Sequence, residues 1–267
     1  ILERRIIWKQ TILSGNFQNG IKKLLDENII NPSDASRKVE GLIFEASTDP
    51  AITGLTVDAQ FTGDNLYDAI KKLCDSKNVG FRIKLSDDNK FVFKLYAGAD
   101  RSYDQFTNPY VIFSPKFENV INTNYLESKK TLKTVTLVAG EGEGADRRTT
   151  TVACASGAGT GLNRRELYTD ARDVSSTVDN ETLTDTEYNA QLSQRGLENL
   201  AENIATKSFE GKVESTRMYR YGEDFFLGDM VQIVNEYGIE GKARVTEFIR
   251  SQSKEGLDSY PTFVTVE

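Results

Sequence analysis

Histidine is absent from the chain. That removes Ser-His-Asp triads, Cys-His pairs, His-ligated zinc and histidine proton shuttles from the chemistry open to it. Two cysteines, Cys74 and Cys154, are too few for a four-thiolate metal site. Cys74 falls on an apolar helix face and Cys154 in an apolar strand; both read as buried free thiols, with one disulfide as the alternative. Carboxylates are plentiful, with 40 Asp and Glu. A glycoside-cleaving pair needs two of them roughly 5–10 Å apart in a cleft, and no spacing here singles out such a pair. Glu141, Glu143 and Asp146 offer oxygen ligands for calcium, but too few and without the spacing of a calcium loop. Asp87-Asp88 is ordinary hairpin-turn chemistry.

Other motifs are equally spare. Gly140-Glu141-Gly142-Glu143-Gly144 follows a strand, as a phosphate-cradling loop would, yet Arg147 to Val152 after it reads as another strand. The helix N-terminus that such a loop needs is missing, so the expected structure is a flexible hairpin tip. Gly157 to Gly161 reads as equally loose. Asp100-Arg101-Ser102 predicts an Asp–Arg pair fixing a domain junction. Trp8 and the eleven tyrosines are candidates for sugar stacking, although tyrosines at alternating strand positions serve sheet packing more often. No catalytic, cofactor-binding or metal-ligating residue is assigned.

The elements that must position these residues follow from periodicity. Ser14 to Ile30 predicts a helix, with Ser14 or Asn16 as its cap, stopped by Asn31-Pro32. A second helix is predicted over Asp64 to Lys77, with Leu66, Tyr67, Ile70, Leu73 and Cys74 inward and Gly80 just past its end. Short strands are expected at Val39 to Phe44 and Gly54 to Phe61. Phe81 to Leu85 and Phe91 to Tyr96 alternate around Ser86-Asp87-Asp88-Asn89 as a hairpin. Further strands are expected at Tyr110 to Phe113, Val120 to Tyr125, Leu132 to Val138, Thr149 to Ala153 and Arg165 to Thr169. A third helix, Asp185 to Thr206, opens on the capping box Thr184-Asp185-Thr186-Glu187. Gly196 within it predicts a close backbone approach. Strands resume at Phe209 to Val213, Thr216 to Tyr221, Met230 to Asn235, Lys242 to Arg250 and Pro261 to Val266, a spacing that suggests a sandwich or barrel.

The 267 residues are 38% hydrophobic and 27% charged, a globular balance. A net charge of −7 disfavours direct nucleic-acid binding. No run nears the roughly 18 apolar residues of a membrane helix, so no membrane insertion is expected. The β-like start at Ile1 to Trp8 reads as a cut through a longer protein.

Several segments, in order, resemble the siphovirus Gp37-like tail proteins, within the wider group of baseplate-hub proteins. They are Tyr96 to Ser102, Tyr110 to Pro115, Phe117 to Val120, Leu137 to Gly142 with Arg147-Arg148, Leu227 to Val231, and Ala243 to Glu247. The resemblance implies a virion tail-tip protein, made in the bacterial host cytoplasm. It implies a homotrimer for the full-length protein, bound to distal tail and tape-measure proteins, with no enzymatic activity and no cofactor. The implied fold is α+β, a small α/β portion with two helices and hairpins plus an antiparallel β-barrel interrupted by an inserted helix. Residues 1–108, with 163–206 packed on or inserted into them, would form the first part. Residues 109–162 and 207–267 would form the barrel, and the family's N-terminal barrel would be absent. A carboxylate-based cell-wall polysaccharide hydrolase and a cell-wall carbohydrate-binding module are the rival readings.

Overall fold

The computed structural model describes residues 1–178, 181–213, 218–238, 240–254 and 256–265, with the side chains of all but 121–125, 145, 206–213, 253, 257, 258 and 265. In chain order the elements are β1 (Thr11–Asn16), α1 (Phe17–Leu25), β2 (Leu42–Glu45), α2 (Pro50–Thr53), β3 (Thr56–Phe61), α3 (Leu66–Ser76), β4 (Gly80–Leu85), β5 (Phe91–Tyr96), β6 (Ile112–Phe113), β7 (Val120–Ser128), β8 (Val135–Ala139), β9 (Thr149–Ala153), β10 (Glu166–Asp170), β11 (Thr177–Val178), β12 (Glu181–Thr182), α4 (Asp185–Glu202), β13 (Thr206–Val213), β14 (Met230–Val234), β15 (Glu240–Ser253) and β16 (Gly256–Thr265). The fold is mixed α+β. Two compact units divide it: residues 1–96 with 132–204, and 97–131 with 205–267.

In the first unit, β1 pairs antiparallel with β3. The helix predicted from Ser14 begins at Phe17, because Asn16 is the cap and accepts the Asn19 amide at 3.1 Å. Ser14 lies in β1 instead, its hydroxyl donating to Asp58 at 2.9 Å. The strand partner is more than forty residues distant, so local periodicity could not reveal it. Past Leu25 the helix widens into a π-turn over Asp26–Ile30. α3 is capped by Asn65, which accepts from the Tyr67 and Asp68 amides. The left-handed residue after α3 is Asn78 (φ 54°), not Gly80. Gly80 opens β4, where a Cβ would come within 2.3 Å of the Tyr96 ring.

β4 and β5 form the expected hairpin, and β2 joins β5 in parallel. Phe93 is buried between Phe44 and Phe81, with ring centroids 5.8 and 5.5 Å away. A second sheet in this unit has the order β10-β8-β9, and α4 packs on all three strands. The third helix ends at Glu202, short of Thr206, and carries the predicted capping box between Thr184 and Glu187. Gly196 is the predicted close approach: a Cβ there would lie 2.8 Å from Val138 and 2.9 Å from Val152. Residues 132–162 were expected in the barrel. Their strands pair with each other and with β10, and α4 buries that sheet's apolar face.

The second unit is one six-stranded sheet in the order β6-β14-β15-β16-β13-β7. Its core is Val111, Phe113, Val120, Phe225, Val231, Ile233, Ala243, Val245 and Phe263. Phe113 lies against Phe263, Phe225 and Tyr219, with centroids 5.0, 5.6 and 5.8 Å away. The barrel is not closed among the described residues, since no ladder joins the end strands β6 and β7. The chain turns a corner between them instead. Asn119 accepts the Ser114 amide and donates to the Ile112 carbonyl, both at 2.8 Å, and Pro115 has no amide to offer a neighbour. Within the strand expected at Thr216 to Tyr221, residues 216 and 217 lie outside the described residues, and Tyr221 makes an isolated bridge to Phe225. Val266, the expected end of the last strand, also lies outside them.

Candidate functional site

Three of the segments singled out in the sequence meet at Asp229, in the second unit. Asp229 is buried at the end of a turn that Gly228 makes with φ +90°. One carboxylate oxygen accepts the Phe226 amide at 3.0 Å and Arg101 Nε at 2.7 Å; the other accepts the Ala99 amide at 2.8 Å. Backbone bonds close the same node: Met230 donates to Ala99, Arg101 to Met230, Gly228 to Val245 and Val245 to Asp229, all at 2.7–2.9 Å. Gly98 packs so closely on this turn that a Cβ would fall 1.8 Å from the Gly228 carbonyl oxygen. Asp229 is thus a tie, its oxygens committed to two amides and a guanidinium.

The predicted Asp100–Arg101 pair does not form. Asp100 accepts the Ser102 amide at 2.9 Å, while Arg101 turns to Asp229. Lys242 lies 3.7 Å from Asp100 and 2.7 Å from Asp104. Desolvation pushes the Asp100 carboxyl up, but the Ser102 bonds and Lys242 together bring it below the ordinary value.

A second node, in the first unit, is built on the glycine-rich segment and Arg147-Arg148. Arg147 donates to the Ala139 and Gly140 carbonyls at 2.9 Å, to Asp170 at 2.6 Å and to Tyr168 at 2.7 Å, binding β8 to β10. Arg148 lies over the Tyr188 ring, 4.1 Å from its centroid, and pairs with Asp185 at 2.6 Å. The Tyr188 hydroxyl accepts the Glu141 amide and donates to the Val174 carbonyl. Glu141 accepts both the amide and the hydroxyl of Ser176. Desolvation raises the Glu141 carboxyl, and the bonds from Ser176 and Ser175 together with the Arg148 charge outweigh it, so the net shift is downward. Bonds to Arg172, with Arg147 adding to them, pull Asp170 down to about 2.

The loop expected to be loose is therefore held at its base. Gly140 would place a Cβ 2.3 Å from the Tyr188 hydroxyl, and the tip closes on a 3-10 turn at Gly144–Asp146, with the Asp146 amide donating to the Glu143 carbonyl at 3.1 Å. Glu141 is turned to Ser176, and no group of three potential ligands forms a metal position among the described residues. Gly142 to Gly144, Glu141, Arg147 and Arg172 line a shallow surface depression there.

The remaining candidates scatter. Cys74 is buried, and burial pushes its thiol up. Cys154 is only half-buried, just past β9, with its sulfur 3.2 Å from the Ser156 hydroxyl and the Gly157 carbonyl. Both thiols are free, so the disulfide alternative falls. Trp8 is exposed, with the Arg37 guanidinium 5.0 Å from its ring centroid. Several of the tyrosines make ring contacts elsewhere: Tyr67 with Phe81, Tyr103 with Tyr110, and Tyr221 with Phe248. Sequence reasoning missed Tyr188 and Arg147 as organising residues. The Gly140 and Arg147-Arg148 pairing was the available signal, but a Tyr nearly fifty positions away gave none.

The family model described as Siphovirus ReqiPepy6 Gp37-like protein matches residues 1–263. The chain belongs to this family. Three solved structures are similar to this Gp37-like chain. Prophage tail protein gp18 from Listeria monocytogenes EGD-e is 16% identical, with 98% of this chain and 68% of that one covered, at a TM-score of 0.50. The tail protein from Neisseria meningitidis MC58 is 14% identical, with 98% and 71% covered, at 0.48. The 43 kDa tail protein of prophage MuSo2 from Shewanella oneidensis is 11% identical, with 96% and 67% covered, at 0.48. At such identity the Listeria likeness is one of fold. No curated protein sequence matches the Gp37-like chain. No helix among its described residues is long and apolar enough to cross a membrane.

Proposed function

We propose that this chain is a structural subunit of a phage or prophage tail tip: a baseplate hub protein that assembles into a ring and connects the tail tube to distal cell-binding or lytic modules. The family match over residues 1–263 carries this reading. The geometry agrees with it, because the conspicuous polar residues are spent on internal ties. Asp229, Arg147 and Glu141 each hold backbone of other segments in place, and Arg101 is bound to the Asp229 carboxylate. A scaffold needs that use of charge; an active site needs a group held near the substrate with bonding capacity to spare.

On this reading the six-stranded sheet of the second unit is the counterpart of the barrel implied by the resemblance. Its copies would come together in a homotrimer of the full-length protein, docked to distal tail and tape-measure proteins in the virion. Symmetric repetition lets modest contacts add up to a stable ring. The protein would act without enzymatic chemistry or a cofactor. Electron microscopy and light scattering of the full-length protein test the proposal: threefold particles are expected, and a strictly monomeric product would overturn the ring. Release of reducing sugar from purified cell walls would overturn the non-enzymatic assignment.

A further inference from the structure

Helices α3 and α4 pack together within the first unit, although α3 comes from the stretch 1–96 and α4 from the stretch 132–204. Glu198 of α4 is 1% exposed. One of its oxygens accepts from the Gln194 amide at 3.2 Å, and the same amide reaches the Ser76 hydroxyl of α3 at 3.1 Å. The other oxygen is buried with no hydrogen-bond partner.

The charged groups around it compensate its burial only in part. On its own helix, Arg195 Nε forms an ion pair with this oxygen at 3.7 Å, beyond hydrogen-bond distance, while a terminal nitrogen of the same guanidinium is held by Asp173 at 2.9 Å and the Gln60 carbonyl at 3.3 Å. From α3, Lys72 pairs with Glu202 at 3.6 Å. From the turn before α3, Asp64 contributes repulsion. A buried carboxylate with an unbonded oxygen is costly when charged, and becomes tolerable when it carries a proton.

We propose that Glu198 is a proton-dependent latch: uncharged, it lets α4 seat against α3, and ionised, it loosens that seam and with it the hold between the two chain stretches of the first unit. Burial pushes its carboxyl up to about 7, with Asp64 adding to the rise and Arg195, Gln194 and Lys72 opposing it. A folded-state value above the unfolded one means that the stabilisation is complete below the ordinary glutamate range and is lost as pH rises towards and through the folded value.

Hydrogen exchange on the full chain at pH 6 and pH 8, corrected for intrinsic rates, tests the latch. The opening constant of α4 amides should rise about tenfold more between these values in the wild type than in Glu198→Gln, which cannot ionise. Equal pH dependence in the two proteins would overturn it. Carbon-13 NMR of the glutamate carboxyls in the wild type gives a second reading that needs no variant. Glu198 should titrate near neutrality, and a midpoint in the ordinary glutamate range would overturn the latch.

Discussion

Asp229 shows how a single carboxylate can substitute for secondary structure. It joins the Ala99 amide and Arg101 to the Phe226 amide, more than a hundred residues along the chain, beside a single isolated bridge between Asp100 and Met230. Removing it strands the Arg101 guanidinium, which is only 14% exposed, and leaves the Ala99 and Phe226 amides without their acceptor. Asp229→Ala should therefore destabilise the protein by about 3–5 kcal/mol, the range for breaking one side of a buried pair. Asp229→Asn, which keeps one acceptor oxygen and the shape, should cost clearly less. Denaturant titration followed by circular dichroism measures both, and equal losses would contradict the charge-based account. Gly98→Ala belongs to the same node. Its Cβ would meet the Gly228 carbonyl, backbone that cannot swing aside, so a cost of about 2–3 kcal/mol is expected, visible as a lowered thermal midpoint.

At the scale of elements, α4 does the most to build the first unit, because it touches α3, β3 and the β10-β8-β9 sheet. Its start is fixed by reciprocal bonds between Thr184 and Glu187, and its middle is fitted to the sheet through Gly196. Thr184→Ala should cost about 1 kcal/mol and should speed hydrogen exchange in the first turn of α4 while leaving the Asp229 node unchanged. A loss spread evenly over both units would argue against a local capping role.

For the molecule as a whole, two sets of carboxylates pull stability in opposite directions along the pH axis. Asp100, Glu141 and Asp170 have folded values below their ordinary ones. Their contribution is present above the ordinary carboxylate range and is lost as pH falls through the lowered values. Glu198 has the opposite sign, and its contribution fades as pH rises towards about 7. Stability should therefore peak in mildly acidic solution, near pH 5, and decline on both sides. Denaturation midpoints measured from pH 3 to pH 8 check this, and a steady rise up to pH 8 would contradict it.

Much was legible in the sequence because it is decided locally. The Thr184 capping box, the β4–β5 hairpin alternation and the amphipathic stripe of α3 are written in neighbouring residues and survive in the structure. The exclusion of histidine chemistry needs only the composition. Tertiary structure decided what depends on partners remote in the chain. Ser14 became a strand residue because β3 pairs with it, Arg101 chose Asp229 over its neighbour Asp100, and β8 and β9 joined α4 because that helix offers them an apolar face. The physical reason is the same in each case: a residue's own backbone preference is worth a fraction of a kcal/mol, whereas a buried charge pair or a packed apolar face is worth several, so the larger and non-local term sets the outcome.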